Sequence, residues 1–324
     1  MDLYKFLDFL KDGLNTGVLY GLVAIGYTMV YGIIKLINFA HGEVCMFGIM
    51  VTYTLTAAVF GGDAANVGIL PFAAFVLIAA VLDGGLGIGL DYVAYKPLRN
   101  SSRLSALITA IGMSLLLQNL AVLIWDAQPK TLTYPGWFDS PAFEIGVIRI
   151  TWGNVLVWSG TIVSMVGLYL VVMKTKLGTA MRACSQNPTA AKLMGVRLDR
   201  VVAATFFIGS LFAALAGVAV AMNKGSFDYQ IGVYIGLVAF AAAVLGGIGN
   251  IPGAMVGGLI IGVVESMAVG YIDLIPHPVS LFSAYYADLK INTGYKEGVG
   301  FLVLILILLL RPQGLLGSKG GDRA

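Results

Sequence analysis

Nine apolar stretches run through these 324 residues, and most are long enough to cross a lipid bilayer. About 20 apolar residues span the roughly 30 Å hydrocarbon core, and a run of that length satisfies its backbone there by coiling into a helix. The stretches are Thr16–Ile34, Val44–Phe60, Ile69–Leu90, Leu104–Ile124, Val155–Met173, Val201–Met222, Tyr234–Gly247, Gly253–Tyr271 and Gly298–Leu310. The seventh and ninth are short for a full crossing. The seventh and eighth, joined at Gly249–Pro252, read either as two crossings or as one re-entrant pair. Charged residues make up only 11% and the mean hydropathy is +0.88, whereas a soluble domain carries about 25% charged residues. Too little polar surface exists to coat a globule, and disorder, collagen, coiled coil and a disulfide scaffold are excluded with it. The expected fold is all-α: a polytopic transmembrane bundle of about 8–9 spans forming a single domain over residues 1–324.

Orientation follows from the distribution of Lys and Arg. With the loop Lys174–Arg200 in the cytoplasm, 13 of the 20 basic residues fall inside, and 11 of the 17 acids fall outside. The N-terminus is then outside and the C-terminus cytoplasmic. No secretory signal is expected, because Met1–Asp12 mixes Lys5 and Lys11 with three aspartates and no small-residue cleavage site follows. The net charge of +3 is too small to suggest a nucleic-acid partner. Cys45 and Cys184 should both be reduced, on the cytoplasmic side or in the adjacent half of the membrane. An internal echo, Gly21-Leu22-Val23-Ala24 and Gly236-Leu237-Val238-Ala239, precedes Gly- and Asn-containing breaks at Asn38–Gly42 and Gly246–Gly253, a pattern that fits either a transporter's paired broken helices or chance.

The sequence contains no phosphate-cradling G-x-x-x-x-G-K-[ST], no H-E-x-x-H, no paired C-x-x-C and no G-x-S-x-G. His41 and His277 fall on opposite sides of the membrane and cannot share a metal. No catalytic residue, metal or cofactor is expected, and ATP is not bound by this chain.

What remains is a set of polar and capped segments. In the loop 174–200, Asn187–Gly195 reads as a complete short helix. Asn187 is a favoured N-cap, Pro188 suits the first helical position, and Gly195 suits a left-handed stop. Ala190, Leu193 and Met194 form a small apolar face beside Lys192 and Arg197. So short a helix is unstable alone in water, so it docks either in a partner's groove or on its own bundle. Asn38, His41 and Glu43 lie between the first two spans, as a polar break near a translocation path or as a solvated turn. Gln118 and Asn119 lie inside the fourth span, Asn250 in the break after the seventh, and Glu265 inside the eighth. A mid-bilayer charge costs on the order of 2.5–3.5 kcal/mol on insertion scales, so Glu265 faces the interior, as a helix–helix bond or as a substrate contact. Asp83 is read as solvated near a membrane edge, Lys96–Arg103 as an orientation anchor, and Arg311–Gly317 as an apolar hook that reaches a partner or frays.

These segments, together with Tyr95-Lys96-Pro97-Leu98-Arg99, Thr109–Gly112, Met181–Pro188, Leu245–Ala254 and Arg311–Leu315, make the chain resemble the integral-membrane permeases of ABC importers for branched-chain amino acids. The likeness runs nearly end to end and is to the first of that family's two permease types. Asp91-Tyr92, where relatives often carry Glu-Arg, and the loop Ser280–Glu297 depart from it. The resemblance implies a second related permease, two cytoplasmic ATPase subunits and an external solute-binding protein as partners, in the bacterial inner membrane. It implies an ATPase-coupling role for Arg182 and for Asn187, Pro188, Ala190, Leu193, Met194 and Gly195. Urea and short-amide importers use similar permeases. An ion-coupled secondary transporter would need mid-membrane ligands beyond Glu265 and no ATPase.

Overall fold

The computed structural model describes residues 3–61, 67–99, 101–132, 135–145, 148–272, 296–311 and 313–317; most of the departing loop 280–297 lies outside them. The chain runs α1 Leu3–Ile34, α2 His41–Phe60, α3 Ile69–Leu90 with a π-helical turn Asp91–Tyr95, α4 Arg103–Trp125, α5 Trp152–Lys174, α6 Lys176–Gln186, α7 Pro188–Leu193, α8 Leu198–Lys224, α9 Ile231–Gly246, α10 Ile251–Ile272 and α11 Lys296–Leu310. Among the described residues, seven helices have the length and hydropathy of a membrane span. The two shorter apolar helices, Ile231–Gly246 and Gly300–Leu310, fall at the stretches that looked short in the sequence. A small antiparallel hairpin, β1 Pro141–Ile145 with β2 Ile148–Thr151, precedes α5.

α1 is the central helix, buried along nearly all of Gly17–Val30, whereas much of α4 and α5 is exposed. It packs most extensively on α10, and glycine makes that approach possible. A Cβ on Gly17 would stand 2.7 Å from the Leu259 Cα, and one on Gly258 would stand 2.5 Å from the Gly21 Cα. Lipid chains are as apolar as leucine, so close backbone packing of small residues carries helix association in a bilayer.

Two helices begin inside the bundle rather than at its ends. His41 opens α2 against Gly26, about two turns before α1 finishes. A Cβ on Gly42 would lie 2.8 Å from the Gly236 Cα, so the first turns of α2 and α9 meet. At the end where α1 finishes, Gln313–Gly317 folds back on α9. The Leu315 and Leu316 amides donate to the Leu245 and Gly246 carbonyls at 2.8 and 3.0 Å, and Asn250 Nδ2 donates to the Leu316 carbonyl at 2.7 Å. The described segment Gln313–Gly317 is therefore packed rather than frayed. It satisfies carbonyls that the last turn of α9 leaves open.

Three further expectations are corrected. Asp83 is 1% exposed, because α3 continues through the π turn and Gly48 lets α2 close over its carboxylate. His41 and Glu43 are 1% and 0% exposed, so they are not a solvated turn. The basic turn is more than an anchor: Arg99 pairs with Asp91 at 2.7 Å and with Asp199, and Lys96 with Asp199 at 3.3 Å, tying the π turn to the start of α8.

Candidate functional site

The first polar cluster forms where α2, α4 and α9 meet. Glu43 sits in the first turn of α2, and its Oε1 accepts from Ser114 Oγ and Gln118 Nε2, both at 2.9 Å. Ser114 and Gln118 are four apart on α4 and so share a face. Gly232, in the first turn of α9, lies against Glu43 Oε2, and a side chain there would collide with the carboxylate. The first turns of two helices thus meet at one buried carboxylate. Above it, towards the end where α1 begins, opens a cavity of about 1030 Å³ bounded by the charged Lys224 and Asp228 as well as by Gln118, Phe227, Ile231, Val233, Tyr234 and Leu237.

A second chain of hydrogen bonds joins α9, α1 and α10. Tyr20 and Tyr234 hydroxyls are 2.6 Å apart, and Tyr20 donates to Glu265 Oε2 at 3.1 Å. Tyr234 lines the large cavity, with the Lys224 ammonium 3.5 Å from its ring centroid. Glu265 is therefore linked to that cavity through two tyrosines. Sequence reasoning missed Tyr20, Tyr234 and Ser114; the bonded pairs are 214 and 245 residues apart along the chain, and no local pattern reports such a pairing.

The other polar residues separate. Asn38 is buried nearer the end where α1 finishes, accepting from the Tyr95 hydroxyl at 2.9 Å. His41 stacks edge-on with Tyr27, centroids 4.7 Å apart. Asn119 turns outward, donating to the Leu115 carbonyl at 2.7 Å. Asn250 caps α10 through the Gly253 amide at 3.1 Å. Of the polar residues singled out from the sequence, the structure brings Glu43 and Gln118 together at one site.

At the opposite end, α6 and α7 form a platform. Asn187 Oδ1 accepts from the Ala190 amide at 2.9 Å, Pro188 opens the helix, and Gly195 takes φ +84°. Ala191 points inward onto Met181, Cys184 and Val201. Ala190, Leu193 and Met194 point outward, the last two 85% and 84% exposed. Arg182 binds the Val172 carbonyl, holding α6 to the end of α5 rather than joining the outward face. Burial also pushes the Cys184 thiol up from its ordinary value, and both cysteines are free and buried.

A multi-pass helical bundle with a polar seam at its centre and a capped helix at one end has the build of a membrane permease. The family described as the permease component of the branched-chain amino acid transport system matches residues 9–308, and the chain belongs to that family. It is 41% identical, over 97% of each chain, to the high-affinity branched-chain amino acid transport system permease protein LivH of Salmonella typhimurium. The same-named protein of Escherichia coli strain K12 is likewise 41% identical over 97% of each chain. BraD of Pseudomonas aeruginosa, named as a permease protein of the same kind of system, is 40% identical over 98% of this chain and 97% of its own length. These are transport permeases and not enzymes.

Proposed function

We propose that this chain is the permease subunit of an ATP-binding-cassette importer that carries leucine, isoleucine or valine into the cytoplasm. It works in the bacterial inner membrane beside a second related permease. Two ATPase subunits sit on the α7 side and a solute-binding protein on the other, with the N-terminus outside and the C-terminus cytoplasmic. The cavity above Glu43 and Gln118 is this subunit's share of the path, and Glu265 supports its wall through Tyr20 and Tyr234. Asn38, His41, Asn119 and Asn250 act in packing and capping.

The observation that carries this reading is the outward face of α7. Six residues do not hold a helix unaided; here a cap, a proline start, a glycine stop and one inward alanine fix it, while Leu193 and Met194 stay exposed. A rigid apolar knob outside the apolar body of a membrane protein is suited to a protein groove, through which ATPase closure can push on the bundle. Leu193→Asp places an unpaired charge in such a contact, at a cost of several kcal/mol. The expected result is normal expression and melting temperature with loss of co-purifying ATPase subunits. A variant that assembles with the ATPases as the wild type does would exclude Leu193 from the coupling contact.

A further inference from the structure

We propose that the floor of the large cavity is a receiving subsite for a zwitterionic amino acid, in which the Glu43 carboxylate pairs with the substrate's α-ammonium group and Ile231, Val233 and Leu237 take its aliphatic side chain. The proposal rests on the permease reading above and adds the chemical group that this site recognises.

Glu43 is fully buried, and its two oxygens are treated differently. Oε1 accepts both α4 donors, whereas Oε2 has no hydrogen-bond partner among the described residues. An ionised carboxylate has about four acceptor positions, and leaving one side unpaired in an apolar bundle is costly. That cost makes sense at a place where a cation arrives. The free oxygen lies against Gly232, and the neighbouring Ile231 and the bonded Gln118 both form the cavity boundary. Glu43 therefore lies directly beneath the floor, with the Gln118 side chain as its cover.

The groups at and beneath the floor select the kind of cation, with Asp228 a second acidic group on the cavity wall. No group of three His, Cys, Asp or Glu side chains able to hold a metal ion occurs among the described residues, so a hard divalent ion lacks the ligands it needs. An alkylammonium needs one carboxylate and neutral acceptors, which Glu43, Ser114 and the Gln118 carbonyl supply. Lys224, which bounds the same cavity, suits the substrate's carboxylate. Apolar residues beside them complete a site for an amino acid with a branched aliphatic side chain.

The test is equilibrium binding of radiolabelled leucine to the importer complex in nanodiscs without its solute-binding protein, with ATP-driven leucine uptake measured on the same complex in vesicles supplied with that protein. Glu43→Gln should weaken leucine binding at least tenfold, and Glu43→Asp should restore part of it, with all three proteins melting alike. On the wild type, 4-methylpentanoate, which keeps the side chain and carboxylate but lacks the ammonium, should fail to displace leucine. This arm decides the matter even if a variant misfolds. Equal displacement by 4-methylpentanoate, undiminished binding by Glu43→Gln, or no leucine bound by a wild type that transports it would overturn the subsite. Absence of wild-type uptake would instead overturn the permease reading.

Discussion

Arg99 shows how much one side chain can carry at the edge of an apolar bundle. It holds Asp91, itself 3% exposed, at 2.7 and 2.9 Å, and reaches Asp199 on α8. Removing one partner of a buried pair leaves a desolvated charge, which costs about 3–5 kcal/mol. Arg99→Ala should therefore lower the melting temperature of the purified protein sharply, and Asp91→Asn combined with it should recover part of the loss. An unchanged melting temperature for the single variant would show that the pair is solvated. Residue-scale roles were unevenly legible in the sequence. The caps of α7 announce themselves because Asn, Pro and Gly each favour one helix position for a local reason. Asp83 and Arg99 were misjudged because their partners, Gly48 and Asp199, lie on other helices, and local sequence carries no signal of them.

At the scale of elements, helix ends matter more than helix interiors. Apolar length located the spanning segments, since hydrocarbon thickness sets a minimum that each must meet. It did not show that α2 and α9 start within the bundle, because a helix that begins beside Gly26 has the same composition as one that begins at the surface. The α1–α10 contact was readable in principle: Gly13, Gly17 and Gly21 recur every four residues, as do Gly258 and Gly262, and residues four apart share a helix face. Gly17→Leu drives a side chain into the α10 backbone, a clash of the kind that costs about 1–3 kcal/mol or more. A Cβ added to Gly89 on α3 meets nothing within 4 Å, so Gly89→Leu there is the control. A thermal-stability assay in detergent should show a clear loss for the first and little change for the second; equal behaviour would contradict the packing described.

On the scale of the whole molecule, the two ends of the bundle have different chemistry. One carries the α6–α7 platform and the Arg99 network; the other carries the cavity, the hairpin and the loop after α4. Cys45 and Cys184 are buried, and burial raises the Cys184 thiol further from its reactive form, so the native chain is a quiet background for thiol labelling. Exposed Thr189, beside the cap of α7, and exposed Ala127, after α4, then report the two faces. With a membrane-impermeant maleimide, Ala127→Cys should label in intact cells and Thr189→Cys only after permeabilisation; the opposite pattern would invert the proposed orientation.

On the proposed function, this bundle moves branched-chain amino acids under the control of ATPases docked on α7. Its most direct test is ATP-driven uptake of radiolabelled leucine by vesicles containing the assembled importer, with wild-type and Leu193→Asp chains compared at equal protein. ATP-dependent accumulation is expected for the wild type and background uptake for Leu193→Asp. Wild-type accumulation without ATP, or equal ATP-driven accumulation by both chains, would contradict it.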